Sequence, residues 1–201
     1  MSDLVILIPA AGASRRMEGA DKLLEEVDGE PILRRTARIA GAAGGTVLVA
    51  LPETGPYLAA RRATLTGLGV HLLAVADAHE GMAASLRAGA REIGPAEGLM
   101  VLLPDMPEIE AEDVRHLAAV FAQDPALPVR ATTGDGTEAG HPVILPRRLM
   151  QELGILTGDR GAWIVLEGED VRLVPLPGRR AVTDLDTPED WAAWRAARGE
   201  G

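Results

Sequence analysis

Hydrophobic and polar positions divide the chain into two recurring kinds of segment. Residues 4–8 form a continuous apolar run, rich in β-branched side chains, that stops abruptly at Pro9, Ala10, Ala11, Gly12, Ala13 and Ser14. A parallel strand buried on both faces reads this way. Apolar runs of strand length recur at 46–51, 70–75 and 98–103, and the runs at 46–51 and 98–103 are halted by Pro52 and Pro104. Between them the apolar spacing is helical. Residues 31–43 carry Ile32, Leu33, Ala37, Ile39 and Ala40, with Pro31 suited to a first turn. Helices are also predicted over 56–65, 82–93 and 109–122, the last with Glu110, Glu112 and Asp113 at its positive N-terminal end. Short strands at 128–133 and 142–145 flank the polar loop GDGTEAGH, followed by helical segments at 146–153 and 161–166 and a strand at 171–176. A final helix over 188–197 is capped by Thr187, with Glu189 and Asp190 in its first turn.

Strands alternating with helices at this spacing predict an α/β fold: a Rossmann-like, doubly wound, mostly parallel sheet with right-handed crossovers. With 201 residues and no repeat or linker, one domain over 1–201 is expected. Ligands of such sheets sit at the carboxyl ends of the strands. The Gly12 loop and Asp105 both lie at such ends, so they can face one cleft.

Composition narrows the function. Hydrophobic content of 47% with 25% charge is that of an ordinary globular protein. A net charge of −10 argues against a nucleic-acid polymer as partner, yet leaves a small anion held by a local basic cluster compatible. The absence of cysteine excludes disulfides, thiolate zinc sites and cysteine nucleophiles. Aromatic content of 2% leaves little for base-stacking platforms. The start MSDLVILIPAAG lacks a basic region and its apolar run is short, so neither signal peptide nor membrane span is predicted and a cytoplasmic location is expected.

Candidate chemistry gathers at three places. After the first strand, small residues let backbone N–H groups approach an anion, and Arg15, Arg16 and Lys22 add positive charge, an arrangement suited to phosphate. Lys22 is the only lysine in the chain. The plain alternative is a strand-to-helix connection with solvated arginines. Neither the G-x-x-x-x-G-K loop nor a G-x-G-x-x-G turn is present. Asp105, in LLPDMP at the tip of a buried strand, is suited to bind Mg²⁺, which prefers oxygen and shares it with phosphates; a turn aspartate bonded to its own backbone is the competing reading. In TDLDTPED, an N-cap explains Thr187, Glu189 and Asp190 but leaves Asp184 and Asp186 over. His141 alone is as often a structural donor as a ligand, and His71 and His116 read as structural.

The residues Ala10, Ala11, Gly12, Ser14, Arg16, Met17 and Lys22 resemble the A-A-G-x-S-x-R-M…K signature of nucleotidyltransferases of molybdenum cofactor synthesis, the cytidylyltransferase and guanylyltransferase group with a nucleotide-diphospho-sugar transferase type of fold. The pattern departs at Pro9, where leucine is usual, and at Glu18, where glycine is usual. The other motifs follow in the family's order: GMAASLRAG, PDMP, GHPVIL, GDRGAW and DLDTPED. The resemblance implies that Ala10, Ala11, Gly12, Ala13, Ser14, Arg16 and Lys22 wrap a triphosphate and that Gly81 and Ser85 lie by base and ribose. It also implies that Asp105 binds the metal, with one of Asp184 and Asp186, preferentially Asp186, completing a Mg²⁺ (or Mn²⁺) site. His141, Asp159 and Arg160 would receive the acceptor, Trp163 standing where arginine is common.

A substrate phosphate would then attack the α-phosphorus of a nucleoside triphosphate, with Lys22, Arg16 and Asp105 as the catalytic set. The Ala10-Ala11-Gly12 form resembles the cytidylyltransferase branch, implying CTP and molybdopterin cofactor as substrates and transient contact with a molybdenum hydroxylase. Competing readings are a GTP-using enzyme, a sugar-phosphate or alditol-phosphate nucleotidyltransferase, and a non-catalytic carrier of the finished cofactor. A plain dinucleotide-binding module fits less well, since ALPETG offers only Glu53 as a ribose ligand.

Overall fold

A computed structural model describes residues 4–158 and 161–199. The elements in order are β1 (Leu4–Pro9), β2 (Glu26–Val27), β3 (Glu30–Pro31), α1 (Ile32–Ala43), β4 (Thr46–Pro52), α2 (Leu58–Thr64) and β5 (His71–Val75). They continue with α3 (Met82–Arg91), β6 (Gly98–Val101), α4 (Ala111–Phe121), β7 (Val129–Thr132), β8 (Ala139–Pro146), α5 (Met150–Leu153), β9 (Arg172–Pro175) and α6 (Pro188–Arg198). Seven strands form one sheet in the order β5-β4-β1-β6-β8-β7-β9, and β2 pairs with β3 in a small separate ribbon.

β1 lies between β4 and β6, both parallel to it, and β5 extends the parallel half. Its side chains explain the unbroken apolar run. Leu4, Ile6 and Ile8 face the cluster built with α1 and α4, while Val5 and Leu7 face the one built with α3. Ile6, Leu7 and Ile8 are fully buried, worth about 1.5–3 kcal/mol each by transfer out of water.

The second half departs from a parallel reading at one strand. β8 runs antiparallel to both β6 and β7, and β9 returns parallel to β7. It also extends beyond the expected 142–145, because residues before the cis His141–Pro142 bond already pair with β7. Residues 162–166 form a 3₁₀ turn, and Pro31 is the N-cap of α1 rather than its first helical residue. Among the described residues, no helix is long and apolar enough to cross a membrane.

Candidate active site

The segment after β1 continues the ladder for one residue, Ala10 N–H donating to Ala50 O at 2.9 Å, and then turns outward. Ser14 and Glu18 both take positive φ, and Met17 N–H donates to Ser14 O. A buried ion pair holds the loop from beneath. Asp21, beside Lys22 in sequence, accepts from Arg61 Nε and Nη2 at 2.7 Å each, from Ser14 Oγ at 2.7 Å and from Leu23 N–H at 3.2 Å. Arg61, on α2, also donates to Ala10 O at 2.7 Å. Both ion-pair side chains are almost wholly excluded from solvent. Met17 buries its side chain with Val27, Ile32, Leu185, Trp191 and Trp194, tying the loop to α6.

The carboxylates arrive from β6 and from the segment before α6. Asp105 follows the end of β6, and its carbonyl accepts from Leu185 N–H at 3.0 Å, so the acidic segment is stitched beside it. The capping box of α6 then fixes Asp186: Asp190 accepts from Asp186 N–H and Thr187 N–H, and Thr187 Oγ1 accepts from Asp190 N–H. Lys22 Nζ lies 2.5 Å from Asp105 Oδ2 and 2.6 Å from Asp186 Oδ1, and Arg16 reaches Asp186 Oδ2 at 2.8 Å. Burial by itself would lower the Lys22 ammonium, but Asp105 and Asp186 outweigh it and the net direction is upward. Asp184 is pushed up by desolvation and by repulsion from Asp105 and Asp186.

These groups surround a cavity of about 770 Å³. Its lining includes Ala11, Gly12, Ala13, Ser14, Arg16, Lys22, Gly81, Ser85, Asp105 and Asp186, so the structure gathers these expected residues in one place. Gly81, at φ +85° and ahead of α3, takes a backbone conformation natural to glycine and opens the helix toward the cavity. Ala10 is fully buried beneath the loop and does not line the cavity. Ser14 commits its hydroxyl to Asp21 and Arg61, which leaves its backbone for a ligand. Glu18, where the pattern departs from glycine, is exposed and outside the lining, so its carboxylate adds no negative charge to the cavity. Of the two leftover aspartates, Asp186 lines the cavity and Asp184 does not.

His141 does not reach the lining either. Burial and the nearby Arg130 lower its imidazole to about 4, and its Nδ1 is buried without a partner. Asp159 and Arg160 lie outside the described residues. His71 and His116 are exposed. Sequence reasoning passed over Asp21, Arg61, Tyr57 and His79. Tyr57 donates to Gly19 O at 2.7 Å, and Tyr57, Arg61 and His79 line the cavity. The G-P-Y turn after the second long strand, at a carboxyl end of the sheet, was the available signal for Tyr57.

The oxygen donors suit a hard divalent cation. Asp105 Oδ1 is buried with no hydrogen-bond partner, and Asp105 Oδ2 and Asp186 Oδ1 both lie within reach of a single nitrogen. Two carboxylates would leave the remaining coordination to phosphate oxygens and water. Among the described residues no group of three or more acidic or histidine ligands forms a closed protein cage.

Sheet topology and cavity are those of an α/β protein that binds its ligand at the carboxyl ends of the strands. Residues 6–174 match the MobA-like NTP transferase domain, and the chain belongs to that family. The crystal structure of Rv0371c from Mycobacterium tuberculosis is similar over 96% of both chains, with 27% identity and a TM-score of 0.82. Its complex with manganese is similar at a TM-score of 0.76 and 26% identity, over 96% of this chain and 97% of that one. A probable molybdenum cofactor guanylyltransferase from Synechococcus elongatus is 51% identical over 51 residues, 25% of this chain and 26% of that protein. A bifunctional enzyme IspD/IspF from Desulforudis audaxviator is 29% identical across 100% of this chain and 58% of its own length. The chain thus spans less than two thirds of these curated relatives.

Proposed function

We propose that this nucleotidyltransferase moves CMP from CTP to the phosphate of a molybdopterin-type cofactor, releasing pyrophosphate, with Mg²⁺ or Mn²⁺ at Asp105 and Asp186. The observation that carries the reading is the convergence of Lys22, Asp105 and Asp186 on the cavity under the Gly12 loop. A manganese complex of the similar Rv0371c supports a divalent metal.

The residues divide the work by charge. Backbone N–H groups of the Gly12 loop, with Arg16 and Lys22, bind and orient the triphosphate. Gly81 and Ser85 border the nucleoside end. The acceptor phosphate oxygen bonds to the α-phosphorus as the bond to pyrophosphate breaks, and the electron pair leaves with pyrophosphate. The acceptor phosphate, with a second pKa of about 6, is largely ionised at neutral pH, so no general base is required. Catalysis is then positioning plus charge stabilisation. When bound, the divalent cation neutralises phosphate oxygens next to the reacting phosphorus. Acceptor binding by Asp159 and Arg160 belongs to this proposal, whereas His141 stays outside the cavity lining.

Pyrophosphate release is the test, with Mg²⁺ and each of CTP, GTP, ATP and UTP, with and without molybdopterin cofactor. Release requiring both CTP and cofactor supports the reading. Release with GTP instead would keep the mechanism and overturn the base, in line with the guanylyltransferase similarity. No release with any nucleotide, while the cofactor still binds, would favour a carrier.

A further inference from the structure

Lys22 stands where a metal would. Its ammonium lies between Asp105 and Asp186, the two carboxylates that would hold a divalent cation, 2.5 Å from Oδ2 of the first and 2.6 Å from Oδ1 of the second. The three side chains are only 14–19% exposed, so the charges are weakly screened. Nothing else described holds these two oxygens together. Arg16 reaches the other oxygen of Asp186 from a side chain that is 69% exposed.

We propose that Lys22 is an internal counter-ion that closes the metal position until a nucleotide arrives, and that the triphosphate opens it by drawing the ammonium onto its own oxygens. An ammonium and a dication cannot both occupy the gap, because like charges at contact distance in a partly buried site repel strongly. The backbone bond from Leu185 to Asp105 holds the two acidic segments side by side, and without a cation in the gap their facing oxygens would repel, since Arg16 reaches only the other oxygen of Asp186. Nucleotide therefore promotes metal uptake in two ways, by lending its phosphate oxygens and by vacating the site. The inference rests on the metal-dependent transfer proposed above, yet it can be tested without turnover.

The test is a Mn²⁺ titration of the full chain without nucleotide, followed by calorimetry or by the loss of the free-ion EPR signal. Lys22→Met and Lys22→Gln are expected to bind Mn²⁺ about tenfold or more tightly than the wild type. Arg16→Met, which removes an exposed partner, should change affinity less than about threefold. Wild-type affinity in both Lys22 variants, or an equal gain in Arg16→Met, would overturn the proposal. Because Lys22 is the only lysine, amine-reactive labelling read by peptide mass spectrometry reports on it separately from the N-terminus. Saturating Mn²⁺ should speed labelling of the wild type, and an unchanged rate would count against displacement. Tighter Mn²⁺ binding in the variants with no pyrophosphate release by the wild type from any nucleotide would keep the gate and overturn the transfer reaction. Release with CTP and cofactor alongside unchanged Mn²⁺ affinities would do the reverse.

Discussion

Arg61→Met should destabilise the protein by about 3–5 kcal/mol, the loss typical of breaking a buried ion pair from one side. The magnitude follows from what the change strands. Asp21 is fully buried and would keep only Ser14 Oγ and Leu23 N–H as donors, while the carbonyl of Ala10 would lose its bond to Arg61. A domain with about 5–15 kcal/mol of total stability survives this with little margin. In equilibrium urea unfolding with a slope of about 2 kcal/mol/M, the midpoint would fall by about 2 M. The double variant Arg61→Met/Asp21→Leu removes both charges and should recover part of the loss, because replacing a whole buried pair by apolar groups is often near neutral. Nucleotide KM should rise in the single variant even where it stays folded, since the pair braces the loop. A loss below about 1 kcal/mol in the single variant, or a double variant whose loss equals both singles added, would refute the argument.

Three further outcomes are expected. Gly140→Ala would set a Cβ 1.8 Å from Ala181 O, against backbone of the segment that leads to Asp186; a loss of about 1–3 kcal/mol in thermal or urea unfolding, with reduced turnover, is expected. Asp186→Asn should abolish pyrophosphate release while leaving nucleotide binding measurable by calorimetry, and Asp184→Asn should retain most of the rate, because of these two aspartates Asp186 is the one that meets Lys22 at the cavity. His141 is held neutral in the fold, its pKa lowered from 6.5 to about 4 by burial and by Arg130. The unfolded chain takes up that proton first, so stability present above pH 6.5 should fall by up to about 3 kcal/mol as pH drops toward 4. His141→Gln should flatten that slope in unfolding measured from pH 7 to pH 4.

The alternation of short apolar runs with helical spacing was enough to point to an α/β sheet, because a brief run such as Ile6, Leu7 and Ile8, ended by Pro9 and small residues, fits a strand covered on both faces. The small-residue loop, Lys22, Asp105 and the DLDTPED segment were legible for a similar reason: local backbone form and charge are written in consecutive residues. Even so, the choice between Asp184 and Asp186 was not local. It follows from Leu185 N–H reaching the carbonyl of Asp105 and from Asp190 capping α6, which turn one aspartate toward Lys22. The direction of β8 was also beyond periodicity, which looks the same in either orientation. Arg61 and Asp21 are 40 residues apart and polar, and each by itself reads as a solvated charge. Only the tertiary structure makes them a buried pair, because the path of α2 beneath the loop removes water from both at once. Patterns repeated along the chain settle which chemical groups are available and near which strand ends. Contact between distant residues decided which groups meet, and with it the bridging of two carboxylates by the single lysine.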